Sequence, residues 1–105
     1  MLALIEDRRV ELANLCRSAS VSRLELFGSA ARGDFDSVRS DLDFLVEFDA
    51  ARASACGSVL STYFGFKEAL EALFGRPVDL LMLGAVRNPF IRADIERSRR
   101  LVYAA

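Results

Sequence analysis

The sequence has 105 residues, 52% hydrophobic and 28% charged, which suits one thin-cored domain and leaves no room for a second. Its 14 basic and 15 acidic residues give a net charge of −1, which argues against the basic face that sequence-independent duplex binding requires. There is no histidine, so a His general base, a Ser-His-Asp triad and a His-bound zinc are all excluded.

The N-terminal stretch Met1-Leu-Ala-Leu-Ile5 is apolar but too short for a signal peptide, and charges follow it at once. Residues 4–17 are expected to form a helix. Leu4, Ile5, Leu12, Leu15 and Cys16 share one stripe, with Glu6, Arg8, Arg9 and Glu11 mostly off it. Cys16 is read as part of the apolar face, and Cys56 has no assigned role. The two lie too far apart for a CxxC pair and cannot complete a structural zinc site alone, so a reduced, cytoplasmic setting is expected. Ser18 to Ser22 form a polar connection. Arg23 to Phe27 alternate and predict a short strand. Gly28-Ser-Ala-Ala-Arg-Gly33 breaks it, with Ser29 placed to cap a helical turn that Gly33 ends. Residues 34–40 read as a polar loop, and Asp41 to Phe48 as the second strand.

Residues 50–58 are small and rich in Ala and Ser. From Val59 the pattern turns helical. Val59, Leu60, Tyr63, Phe64, Lys67, Leu70, Leu73 and Phe74 recur at spacings of three and four. Gly65 costs that helix about 1 kcal/mol against Ala, and Gly75-Arg-Pro77 stops it. Val78 to Leu83 predict a third, largely buried strand. Asn88 and Pro89 are a good helix start, and the helix should run to about Ser98. Arg97, Arg99 and Arg100 sit where cations suit its C-terminal dipole. Leu101-Val-Tyr103 fits a terminal edge strand. No apolar run approaches the ~18 residues of a membrane span.

The order α-β-α-β-α-β-α predicts a single domain over residues 1–105, of class α/β (α+β). It would hold one small mixed sheet with helices mainly on one face. Tyr63, Phe64, Phe66 and Phe90 together exceed what a thin core should bury. Phe64 is expected inside, and the exposed remainder is expected to mark an interface, hence a homo- or hetero-oligomer.

Three features carry chemistry. Gly28-Ser29 follows a strand and opens a turn, as a phosphate site requires. Glycine lets the backbone approach, freed N–H groups face the anion, and the hydroxyl adds a donor. Asp41 and Asp43 alternate along a strand, so their carboxylates share a face. Two like charges so close raise each other's pKa unless a cation intervenes, and a hard ion such as Mg²⁺ suits them. Asp79 opens an otherwise apolar strand, where an unpaired carboxylate is costly. An ordinary turn, a solvated strand end and an Asp–Arg pair would explain each feature singly. Together they suit two-metal phosphoryl or nucleotidyl transfer, with ions ~3.5–4 Å apart.

Leu26-Phe-Gly-Ser-Ala-Ala-Arg-Gly-Asp34, Ser40-Asp-Leu-Asp-Phe-Leu-Val-Glu47 and Val78-Asp-Leu-Leu81 together resemble the signature of the DNA polymerase β superfamily. They are most similar to the minimal nucleotidyltransferases (MNT), the antitoxin half of HEPN/MNT toxin–antitoxin pairs. The resemblance covers nearly the whole chain. It implies a DNA polymerase β-like nucleotidyltransferase fold, ATP as substrate and a two-ion Mg²⁺ site. It implies that Gly28 and Ser29 hold the β- and γ-phosphates and that Asp41 and Asp43 ligate metal. Asp79 would be the third metal-binding carboxylate and would help deprotonate the attacking hydroxyl. Arg32 would reach the triphosphate, and Ser40 would steady the metal loop. Asp34 and Asp36 are read as solvated.

The resemblance also implies a HEPN-type ribonuclease toxin as partner, silenced by AMP added to a tyrosine. Two other readings compete. One is an antitoxin that neutralises its toxin by contact alone. The other is a small-molecule nucleotidyltransferase of aminoglycoside type, which the chain's size disfavours. Neither a membrane nor duplex nucleic acid is an expected partner.

Overall fold

The computed structural model describes residues 3–28, 31, 41–49 and 59–105. Two short helices open the chain, α1 (Ala3–Glu6) and α2 (Arg9–Ser18). The single helix expected over 4–17 is therefore broken. Arg8 leaves helical geometry at φ −114° and ψ 16°, and its N–H bonds the Ile5 carbonyl three residues back at 3.2 Å. The apolar stripe survives the break, because Ile5, Leu12 and Cys16 are all buried. Burial raises the Cys16 thiol to about 12, so it stays protonated and unreactive.

Ser20, at φ 60°, turns the chain from α2 into strand β1 (Val21–Phe27), two residues earlier than expected. Strand β2 (Leu42–Phe48) pairs antiparallel with β1. Helix α3 (Val59–Phe74) then leads through a turn at Gly75 to β3 (Val78–Met82), which pairs parallel with β2. A 3₁₀ turn (Leu83–Ala85) replaces the last residue of the predicted strand. Helix α4 (Pro89–Ser98) starts as the sequence predicts, with the Asn88 side chain accepting the Phe90 N–H. Strand β4 (Arg100–Ala104) ends the fold, antiparallel to β1. The sheet order is β3-β2-β1-β4. The helical turn expected at 29–33 falls almost wholly outside the described residues, and Cys56 lies outside them too.

Strand alternation divides the core in two. Leu24, Leu26, Leu42, Phe44, Val46, Val78 and Leu80 pack with Leu12 and Cys16 of α2 and Phe66, Leu70 and Phe74 of α3. A smaller cluster joins Phe27, Leu45 and Val86 to Ile95 of α4. Asp43 lies between Leu42 and Phe44 in β2, so it takes the side of this smaller cluster. The helices are thus mainly on one face, as predicted, and the lone α4 leaves room beside it. Edge strand β3 is partly closed, because the Tyr63 hydroxyl donates to the Leu80 carbonyl.

The aromatic surplus distributes differently from the expectation. Phe66 is the buried member, whereas Phe64 is 53% exposed and Phe90 82%. Phe66 lies four residues before Leu70, on the face of α3 that meets the sheet, and Phe64 lies off that face. Leu60 and Ile91 are exposed with them. Among the described residues no helix is long and apolar enough to cross a membrane.

One ionic contact ties the C-terminal corner to β1. Glu25 is 3% exposed. Arg99 grips it with two bonds, Nε to Oε2 at 2.6 Å and Nη2 to Oε1 at 2.8 Å. Arg23 Nε adds a third at 2.6 Å. Arg99 thus serves a carboxylate across the sheet as well as the helix end predicted for it. Its bonds hold the Glu25 carboxyl down to about 2, against a burial that pushes the other way. A lowered carboxyl pKa contributes stability above its unfolded value, ~4.3, and loses it as pH falls toward 2. Arg99→Met is expected to cost about 2–3 kcal/mol at pH 7. It should also shrink the acid-dependent loss below pH 4, as read by denaturant unfolding across pH 2–7.

Candidate active site

The sheet brings the predicted carboxylates together by register. Phe27 of β1 is opposite Asp43, and Asp43 is opposite Asp79 of β3. Parallel strands in register place Asp43 and Asp79 side by side on one face. Their carboxyl groups share a hydrogen bond. Asp41 precedes β2 and is exposed, while Asp43 is half-buried.

The Asp43 carboxyl is pushed up to about 7. Burial is the largest cause. The bond to Asp79 follows, then the negative charges of Asp79, Asp41 and Asp94. Asp94 stands on α4 and was not foreseen, because nothing in the sequence shows that α4 faces these strands. An acid held neutral by its neighbours has a strong affinity for a cation that would replace its proton.

Among the described residues the groups side by side here are the Asp43 and Asp79 carboxyls, and carboxylate oxygens suit a hard divalent ion. Asp43, Asp79 and Asp41 are the residues that could hold one. Among the described residues no group of three acidic, cysteine or histidine side chains is yet drawn into a metal-holding arrangement.

Gly28 ends β1 at φ +74°, a conformation that favours glycine. Its position is set by close approach as much as by conformation. A Cβ at residue 28 would overlap Asp43 Oδ2 and lie 3.3 Å from its Cγ. The missing side chain is therefore the space the carboxylate occupies. The Gly28 N–H bonds the Ser98 hydroxyl of α4 at 2.9 Å. Ser98 was not foreseen, as a lone Ser in a helix's last turn gives no signal in sequence. Ser29, Arg32 and Ser40 lie outside the described residues.

The nucleotidyltransferase domain family matches residues 10–102, which include Gly28 and all three carboxylates. The chain belongs to this family. A Methanocaldococcus jannaschii protein, provisionally named protein adenylyltransferase MJ1379, is 36% identical over 83 residues. That match covers 79% of this chain and 76% of the relative. A solved structure provisionally described as a minimal nucleotidyltransferase is 32% identical, with a TM-score of 0.73 and 95% of each chain covered. The fold also matches a Shewanella oneidensis complex of a tri-AMPylated HEPN toxin with its MNT antitoxin. There the TM-score is 0.58 at 15% identity, over 96% of this chain and 73% of that one. The chain is thus a nucleotidyltransferase domain with the minimal nucleotidyltransferase fold, as its signature implied.

Proposed function

We propose that this nucleotidyltransferase is an antitoxin that transfers AMP from ATP to a tyrosine hydroxyl of a HEPN ribonuclease toxin, with Mg²⁺ bound. The observation that carries the reading is the Asp43–Asp79 pair, with Gly28 cut back to admit the Asp43 carboxylate. Nothing in a four-stranded sheet requires two adjacent carboxylates, and their mutual repulsion costs stability. Kinship to a relative named as a protein adenylyltransferase supports a protein acceptor. The AMPylated toxin bound to the Shewanella oneidensis protein of like fold supports a HEPN partner.

Asp41, Asp43 and Asp79 would hold Mg²⁺, which when bound neutralises charge on the phosphates and on the attacking oxygen. Gly28 and Ser29 would seat the β- and γ-phosphates, with Arg32 on the triphosphate and Ser40 steadying the loop before Asp41. Asp79 would take the proton of the tyrosine hydroxyl. The oxygen–Pα bond then forms, the Pα–O–Pβ bond breaks, and pyrophosphate leaves with the bridging oxygen. The protein's share is placement and charge matching. The acceptor would bring its own surface to the site. Exposed Leu60, Phe64, Phe90 and Ile91 provide apolar area for such a partner. The reaction would take place in the cytoplasm.

Neutralisation by contact alone is the second reading, and the same exposed side chains favour it. Intact mass of the neighbouring gene's product separates the two, after co-expression with the wild-type chain or with Asp43→Ala. Additions of AMP mass with the wild type alone are expected. An unmodified partner that co-purifies with both versions would exclude transfer and leave the contact reading standing.

A further inference from the structure

Ser98 occupies the last turn of α4 and is 1% exposed. Its hydroxyl works in both directions. Oγ donates to the Asp94 carbonyl at 2.6 Å and accepts the Gly28 N–H at 2.9 Å. Donating to the carbonyl four residues back fixes the hydroxyl rotor, and so aims a lone pair at β1. Without that lone pair, the Gly28 N–H would be a buried donor with no partner among the described residues.

The bond lands on a peptide that borders the proposed metal site. Gly28 lies against the Asp43 carboxylate and begins the segment that continues to Ser29. The next residue, Arg99, grips Glu25 three positions earlier on β1. Adjacent residues of the α4–β4 corner thus hold the end of β1 at two points. A small apolar residue at 98 would fill the same space without reaching Gly28.

We propose that Ser98 is a positioning residue for nucleotidyl transfer, holding the Gly28 peptide beside Asp43 through its doubly used hydroxyl. The inference rests on the transfer proposed above. Ser98 is buried, so its effect on transfer would pass through Gly28. A misplacement of this kind lowers turnover about ten- to a hundredfold without preventing folding.

The test compares Ser98→Ala and Ser98→Cys, which lack a good acceptor, with Ser98→Thr, which keeps the hydroxyl. Three quantities are read on the full chain. They are thermal unfolding, amide exchange at Gly28 by NMR, and kcat and KM for MgATP in AMP transfer to the co-expressed partner. Ala and Cys should speed Gly28 exchange relative to the rest of β1 and lower kcat more than they change KM. Thr should restore both toward wild type. Cys, close to Ser in volume, serves where Thr crowds the buried site. Wild-type kcat in folded Ala and Cys variants would overturn the proposal, as would unchanged Gly28 exchange. A folded Thr variant as slow as Ala would overturn it too. A wild-type chain that modifies no partner overturns the transfer reading itself. Gly28 exchange then still shows whether the hydroxyl holds the glycine.

Discussion

Asp43→Asn is expected to abolish nucleotidyl transfer while making the metal-free protein more stable at neutral pH. The two effects have one source. The Asp43 carboxyl is pushed up to about 7 by burial, by its bond to Asp79 and by the charges of Asp79, Asp41 and Asp94. A raised acid pKa means that the folded chain binds a proton the unfolded chain releases, from the ordinary 3.8 up to about 7. Stability of the metal-free wild type therefore falls as pH rises through that window. Asparagine keeps the shape and a hydrogen bond to Asp79 but carries no charge to desolvate. Allowing for solvent around a half-buried group, the gain at pH 8 is about 1–2 kcal/mol. Transfer should drop about a hundredfold or more, since one of the three carboxylates proposed to hold Mg²⁺ loses its charge. Urea unfolding at pH 5 and pH 8, with and without Mg²⁺, reads the stability side. Mg²⁺ should stabilise the wild type at pH 8 and hardly affect the variant. A variant no more stable than the wild type at pH 8 would show that Asp43 is not strained by its neighbours.

Gly28→Ala is expected to be the most damaging single methyl in the described part of the chain. Two costs add. An L-residue at φ +74° is strained by ~1–2 kcal/mol. The new Cβ would also overlap Asp43 Oδ2, so the carboxylate must move. Together they should cost about 2–3 kcal/mol and displace the carboxylate proposed to hold Mg²⁺. Gly75 is the control. Its φ is +65°, but nothing lies within 4 Å of the place its Cβ would take. Gly75→Ala should therefore show the conformational cost alone. The difference should vanish in an Asp43→Ala background, where the overlapping oxygen is gone. A double-mutant cycle by denaturant unfolding measures it. Equal costs for Gly28→Ala and Gly75→Ala would mean that the carboxylate is not held against the glycine.

The parts of this molecule that were legible in its sequence are those governed by short-range periodicity. Strand β2, the Asn88-Pro89 helix start and the third strand follow from alternation, capping and burial within a few residues. Asp41, Asp43 and Asp79 were legible because carboxylates beside apolar strands are locally expensive. Their signature spacing added the family that the match over residues 10–102 bears out. What stayed hidden depends on partners far along the chain. Glu25 gives no sign in sequence of its Arg99 partner, 74 residues on. Nor does Gly28 show that its N–H goes to Ser98. Phe64 and Phe66 are two residues apart in one apolar run, and the face of α3 that meets the sheet decides which is buried. The break at Arg8 left no trace in the pattern, because the apolar stripe continues across it.

The corner that carries Ser98 and Arg99 also sets an order of events during synthesis. Its partners Gly28 and Glu25 lie 70 and 74 residues upstream. Strands β1 and β2, and then β3, can pair while the chain is still growing. The end of β1 gains its two anchors only after residues 98 and 99 have been made. Closing so long a loop is entropically costly and kinetically late. A nascent chain that already has most of its sheet would therefore still be without a finished site. Competence would arrive in one step, with the last strand, instead of growing gradually as the chain lengthens.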